Sequence, residues 1–296
     1  MIRRYATADV FTDAPLGGNP VATVFDAEGL STDEMQALAV EFNYIESTFL
    51  LPPADARNTA RLRIFTPDRE IPFAGHPNIG TAFLLARSMA AAGAEVPGRF
   101  VFEELAGPVE ITLAKDGDRV CGAELLSPQP LSRGATAGAG AAARLLGLDA
   151  ADVRTDRHQP QVASVGLAFL VVELQSREAL RRASRQAGDA LLPLDGARSV
   201  YAYVRDDAAP GEAAVAIHAR MFTPRLVEDP ATGSATAAVA GLIAELAGRD
   251  VAVHASQGED MGRPSRLVAR AFRDGSTTRA TVGGRCAAMF EGTFEV

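Results

Sequence analysis

Two segments of the chain, residues 78–92 and 233–247, are apolar on nearly every helical face. A helix of that kind is normally buried all round. Elsewhere the pattern breaks into short runs rich in valine, threonine and phenylalanine, punctuated by glycine, proline and aspartate. These runs predict strands at 5–11, 20–26, 47–52, 61–66, 100–104 and 109–114 in the first half. In the second half they predict strands at 119–126, 162–165, 168–174, 199–204, 214–222, 251–255 and 266–271. Buried helices among so many short strands predict a sheet wrapped around each helix. A capping box at Ser31-Thr32-Asp33-Glu34 opens a further helix ending near Asn43. Residues 177–187 read as another, with a charged outer face. The Gly- and Ala-rich stretch 132–143 reads as low complexity; it holds no dinucleotide fingerprint, and no phosphate-loop pattern occurs in the chain.

The pattern repeats. Arg63-Ile64-Phe65-Thr66-Pro67 recurs as Arg220-Met221-Phe222-Thr223-Pro224. His76-Pro77-Asn78-Ile79-Gly80-Thr81-Ala82 then aligns with Asp229-Pro230-Ala231-Thr232-Gly233-Ser234-Ala235, and each copy runs into one of the apolar helices. Two matches in the same order predict two homologous halves, each of strand, turn, loop and helix. The proline after each Arg-x-Phe-Thr ends a strand, and Pro77 and Pro230 suit a helix entry. The small residues that follow leave first-turn N–H groups open to an anion. The first domain is expected to span 1–117 plus 282–296, the chain's end pairing back as a last strand, and the second 118–281.

Composition narrows the function. Acids outnumber bases, 37 to 29, which argues against a broad basic face for nucleic acid or anionic lipid. The apolar runs fall short of the ~18 residues of a membrane span. The N-terminus does not read as a signal peptide. The two cysteines, Cys121 and Cys286, read as reduced thiols of a cytoplasmic protein. With four histidines and no metal-ligand spacing, no metal site is expected; His158, His218 and His254 read as structural or surface groups.

The repeat sets His76 and Asp229 at equivalent places. If the halves face each other about a pseudo-twofold axis, an imidazole and a carboxylate meet one ligand from two sides, an arrangement suited to proton transfer. Glu46, at the start of an apolar strand beside Ile45 and Phe49, is a third candidate, since apolar surroundings raise a carboxyl pKa. Each has a plainer reading: Glu46 as a solvated strand end, His76 as a loop hydrogen bonder, Asp229 as a helix N-cap.

Several motifs together resemble the phenazine-biosynthesis PhzF-like family. They are Gly17-Gly18-Asn19-Pro20-Val21-Ala22, Asn43-Tyr44-Ile45-Glu46-Ser47-Thr48-Phe49, Arg63-Ile64-Phe65-Thr66-Pro67, Phe73-Ala74-Gly75-His76-Pro77-Asn78-Ile79-Gly80-Thr81 and Glu228-Asp229-Pro230-Ala231-Thr232-Gly233-Ser234-Ala235. They stand in the family's order across nearly the whole chain. The resemblance implies an α+β, diaminopimelate-epimerase-like fold: two similar domains, each a mostly antiparallel β-barrel around a central α-helix, with the active site between them. It implies a cofactor-independent isomerase, as in the family member that moves a proton within trans-2,3-dihydro-3-hydroxyanthranilate, and a homodimer. Carried over by motif, Glu46 is the proton shuttle, and His76 and Asp229 bind substrate and assist the proton. Gly75, Gly233, Ser234 and Asn19 would bind a small carboxylic acid substrate. Ile45 departs from the serine that precedes the family's catalytic glutamate, which removes one polar contact to that substrate. Epimerases of this fold use two cysteines as bases; Cys121 and Cys286 lie outside both helix-entry loops. The expected activity is isomerisation of a small unsaturated or cyclic carboxylic acid, with no cofactor, nucleic-acid or membrane partner. The rival readings are an epimerase or lyase on another acid, a non-catalytic binder, and a Ser234 hydrolase, which lacks a nucleophile elbow.

Overall fold

The protein is described by a computed structural model covering residues 1–186, 196–197, 199–206, 214–224 and 227–296. The chain divides into two compact units, Met1–Leu126 with Gly283–Val296, and Ser127–Val282. Each is a strand-rich barrel built around one helix, so the architecture is α+β with two similar domains.

The first unit contains β1 (Ile2–Val10), β2 (Asn19–Val24), α1 (Thr32–Phe42), β3 (Glu46–Leu51), β4 (Ala60–Phe65), β5 (Glu70–Ile71), α2 (Gly75–Ala91), β6 (Arg99–Glu104), β7 (Gly107–Asp116) and β8 (Arg119–Leu126). The second contains β9 (Ser132–Thr136), α3 (Ala139–Leu145), β10 (Gln161–Ser164), β11 (Ala168–Glu173), α4 (Arg177–Arg182), β12 (Ser199–Arg205), β13 (Ala214–Phe222), β14 (Glu228–Asp229), α5 (Gly233–Ala247), β15 (Val251–Gln257) and β16 (Ser265–Asp274). The last strand, β17 (Thr277–Glu295), begins in the second unit and ends in the first.

In the first unit the ladder runs β1–β2–β3–β4–β6–β7–β8, then through β17 back to β1, closing a ring of eight strands. The second unit repeats the order as β10–β11–β12–β13–β15–β16. The parallel pairs recur at matching places, β2–β3 and β4–β6 in one unit and β11–β12 and β13–β15 in the other. On the second unit's other flank β9 pairs with β10, and the segment leading into β9 bonds to β17 through Ser127 and Leu131.

Burial explains the pattern. Ile79, Ala82 and Ala86 of α2, and Ala235, Ala238, Val239 and Leu242 of α5, are fully buried. α2 packs on β1, β2, β3, β7 and β8, and α5 on β10, β11, β15 and β16. α1 covers the outside of the first ring with Met35 and Ala39 against Val24, Phe49 and Phe65. α3 and α4 cover the second with Leu145 and Leu180 against Leu170, Val172 and Val200. Strands covered on both faces read as continuous apolar runs, as parallel neighbours usually do.

The repeated Arg-x-Phe-Thr-Pro carries a device the strand pattern did not reveal. Arg63 makes a bidentate ion pair with Glu70 at 2.7 and 2.6 Å and lies 5.1 Å from the Phe65 ring centroid. Arg220 does the same with Glu228 at 2.8 and 2.6 Å, and lies 5.0 Å from the Phe222 ring. Each pair ties the end of a long strand to the two-residue strand before the helix entry.

Three expectations change. The boundary expected at 117/118 falls after Leu126, because β8 pairs with β7 and β17 and so belongs to the first unit; the return falls at Gly283, one residue later than expected. Residues 132–143 are structured: β9 pairs with β10, and α3 buries Ala142 and Ala143. The helix expected over 177–187 ends at Arg182, and residue 187 lies outside the described residues. The capped helix is as predicted, with Ser31 and Glu34 in a capping box and Asn43 left-handed at its end (φ 52°).

A Cβ on Gly122 would run into the Gly284 carbonyl oxygen and stand 2.8 Å from the Arg285 Cα. Backbone cannot rotate away as a side chain can. Gly122→Ala is therefore expected to lower stability by about 2 kcal/mol or more, read as a lower urea midpoint; an unchanged midpoint would contradict this closure of the first ring.

Candidate active site

In the first unit, three separated motifs meet at one corner. Asn43 ends α1 in the left-handed conformation and sends the chain into β3, whose first residue is Glu46. β3 runs parallel to β2, with Glu46 opposite Val21, so Asn19 and Pro20 lie beside it at the start of β2. α2 then brings in His76, whose Nδ1 stands 3.5 Å from Glu46 Oε2. The His76 ring also hydrogen-bonds the Pro20 backbone. The Glu46 side chain is 15% exposed and that of His76 6%, so a largely dry corner keeps one edge of the carboxyl open.

Burial pushes the His76 pKa down to about 3, with the Pro20 hydrogen bond opposing part of the shift. At neutral pH the imidazole is uncharged, and its contact with Glu46 is not an ion pair. His76 Nε2 is buried with no hydrogen-bond partner among the described residues. Buried polar groups are normally satisfied, so this is a group a polar ligand would complete.

Neither helix start is closed by a side chain. Ala74, the N-cap of α2, has none to offer, and Thr232, the N-cap of α5, makes no cap bond. Gly75 stands first in α2, and Gly233 and Ser234 open α5, all buried. Pro77 is therefore the third residue of α2, whereas Pro230 precedes α5, so the aligned prolines do not hold the same helical position.

In the second unit, Asp229 ends β14 and is buried. It is not the N-cap of α5. Its carboxylate accepts from the Thr232 hydroxyl. Gln257 fastens the loop: its amide donates to the Asp229 carbonyl at 2.8 Å and to Thr232 Oγ1 at 3.0 Å, and its Oε1 accepts from Thr232 N at 3.1 Å. Ser265 adds a bond to the Pro230 carbonyl at 3.0 Å. The structure thus gathers Asn19, Glu46, Gly75 and His76 in one unit, and Asp229, Gly233 and Ser234 in the other.

Sequence reasoning missed Gln257 and Glu104. Gln257 carried no local signal, because it reaches Asp229 only through the pairing of β13 with β15. Glu104, at the end of β6, lies near the start of α2, where the Asn78 amide donates to the Ala74 carbonyl at 2.9 Å. Burial raises the Glu104 pKa to about 8, partly offset by Asn78, so this carboxyl is largely neutral at pH 7. The other histidines are structural or surface groups: His158 bonds Tyr203, His218 bonds Asp206 and Glu259, and His254 is exposed. Among the described residues no group of three or more His, Cys, Asp or Glu could hold a metal ion, and no helix is long and apolar enough to cross a membrane.

Two helix-centred barrels, one carrying a Glu–His corner, define a class that comparison with known proteins makes specific. The sequence pattern of the family described as phenazine biosynthesis-like protein matches residues 8–292. An uncharacterized isomerase of Mesorhizobium japonicum is 38% identical, over 98% of each chain. Trans-2,3-dihydro-3-hydroxyanthranilate isomerase of Pseudomonas aeruginosa is 36% identical, over 98% of this chain and 99% of its own. The crystal structure of a Bacillus anthracis phenazine biosynthesis protein of the PhzF family superposes with a TM-score of 0.85 over the whole of both chains at 21% identity, which speaks to the fold. The chain belongs to the phenazine biosynthesis-like family, and it is an isomerase.

A buried neutral His76 has a thermodynamic sign. The unfolded chain takes up a proton at this residue below about pH 6.5, whereas the folded chain resists it down to about 3. The stability contributed here is full above pH 6.5 and falls as the pH drops through that window. The imidazole nitrogen signals of His76 are expected to stay those of a neutral ring from pH 8 to pH 5. A titration midpoint near 6.5 would show that the corner is wet.

Proposed function

We propose that the protein is a cofactor-independent isomerase that moves a proton within a small unsaturated or cyclic carboxylic acid, with Glu46 as the group that takes and returns the proton. The observation that carries this reading is the Glu46 carboxyl, part open, 3.5 Å from an imidazole that burial keeps neutral. A neutral imidazole beside the carboxyl adds no competing positive charge to the corner. Glu46 removes a proton from a carbon activated by the adjacent double bond or carboxylate, the electron pair shifts along the unsaturated system, and the Glu46 acid delivers the proton to another carbon. Nothing is lost from the substrate, and the enzyme returns to its starting charge.

The remaining residues hold the acid. The uncapped helix starts at Gly75 and at Gly233-Ser234 supply N–H donors suited to a carboxylate and to charge developing in the transition state. Asn19 and His76 orient the ring in the first unit. Asp229, held by Thr232 and Gln257, is assigned a substrate-positioning role in this reading. The relative from Pseudomonas aeruginosa is named for trans-2,3-dihydro-3-hydroxyanthranilate, and that acid is the first to assay. Ile45, apolar beside Glu46, favours an acid with a less polar edge.

Glu46→Gln keeps the shape of the side chain and removes its capacity to carry the proton. Turnover of the first active acid is expected to fall by about 10²–10⁴-fold with binding of that acid retained. Unchanged kcat in Glu46→Gln would overturn the assignment. Asp229→Asn is expected to raise KM more than it lowers kcat, and unchanged values of both would remove the second unit from the reaction. Exhaustive dialysis against a chelator should leave turnover unaltered; loss restored by a metal would refute cofactor independence.

A further inference from the structure

The chain has two cysteines, and the fold brings them together at a place the proposed chemistry does not use. Cys121 lies on β8 and Cys286 on β17, both in the first unit, buried at 7% and 8% exposure. β8 pairs with β17. Two glycines reveal the register. A Cβ on Gly122 would meet Gly284 and Arg285, and one on Gly283 would meet Ala123 and Glu124. Strands with those neighbours run antiparallel, with Gly122 beside Arg285, which makes Cys121 and Cys286 near neighbours across the pair; Cys121 stands at a bulge of β8, where its Sγ donates to the Ala114 carbonyl at 3.5 Å. Each thiol also lies within electrostatic reach of the other. Both line one cavity of about 250 Å³, together with Phe83, Arg87, Arg119 and Arg285.

Position separates this pair from Glu46 and His76. The cavity takes Phe83 and Arg87 from α2, and Arg87 is eleven residues beyond His76, roughly 16 Å along the helix axis at 1.5 Å per residue. Cys121 and Cys286 also bracket both crossings of the chain between the units, after Leu126 and before Gly283.

We propose that Cys121 and Cys286 form a reversible disulfide on exposure to a small hydroperoxide, fastening β8 to β17 where the second unit leaves and rejoins the first. The cavity is the path for the oxidant. The Cys121 sulfur attacks the peroxide O–O bond and becomes a sulfenic acid as one water leaves. The Cys286 sulfur then attacks Cys121, the S–S bond forms, and the sulfenic oxygen departs as a second water with the Cys286 proton. Two thiols are oxidised by two electrons in all, and one hydrogen peroxide is reduced to two waters. Burial keeps the Cys286 thiol protonated, so the second step is slow and the reduced pair is stable in the absence of oxidant. Oxidation closes the residues from 121 to 286 into a covalent loop that contains the whole second unit.

The test treats the full folded chain with hydrogen peroxide, quenches with catalase, alkylates under denaturing conditions and measures intact mass. The expected product is a monomer two hydrogens lighter, with no alkylatable thiol, reversed by dithiothreitol, whose peptide map joins Cys121 to Cys286. In Cys286→Ser the same treatment should leave a dimedone-reactive sulfenic acid at Cys121 and no disulfide. Two alkylatable thiols persisting in the wild-type chain, oxidation to sulfinic or sulfonic acid without a disulfide, or bonds between chains would each overturn the proposal. None of these readouts depends on Glu46 or on the substrate.

Discussion

A helix enclosed by strands has nowhere to expose its first N–H groups. This constraint governs both units. α2 and α5 are apolar over most of their length because strands pack around them, and α2 opens with Gly75 and α5 with Gly233-Ser234. No side chain caps either start, although a cap is the usual way to satisfy those donors. A bound anion is the natural complement, and a small carboxylic acid is one. The duplicated Arg63–Glu70 and Arg220–Glu228 ion pairs tie down the strand before each entry, so the open starts are held rather than loose.

The units then diverge in what they set beside the helix start. The first supplies an imidazole kept neutral by burial and a carboxyl at 3.5 Å. The second supplies an aspartate already engaged by Thr232 and fastened through Gln257. In the proposed reading Glu46 carries the proton and Asp229 helps to position the substrate. The repeat predicted His76 and Asp229 at equivalent places, but His76 is the second residue of α2 whereas Asp229 ends β14 ahead of α5.

Much of this was legible in the sequence, and the reasons are local. The apolar helices, the repeated Arg-x-Phe-Thr-Pro, the capping box at Ser31 and nearly all the strands announce themselves within a dozen residues. Glu46 was legible as a candidate because a carboxyl amid apolar neighbours stands out, and His76 because the repeat aligned it with Asp229. What was hidden is what depends on pairing across the chain. β8 looked like the opening strand of the second half until its partnership with β17 assigned it to the first unit. Gln257 and Glu104 gain their importance from neighbours far off in sequence. The Gly- and Ala-rich stretch misled because composition says little about a short helix whose alanines pack into a core.

The account rests on a proton travelling from one carbon to another of the same molecule by way of Glu46. Isotope tracing follows that journey directly: a substrate bearing deuterium on the carbon to be deprotonated, turned over in ordinary water, with the product read by NMR. The account predicts a product from which deuterium has left its original carbon, with part of it recovered at the carbon that gains a proton. Product that still carries all its deuterium on the original carbon would contradict it.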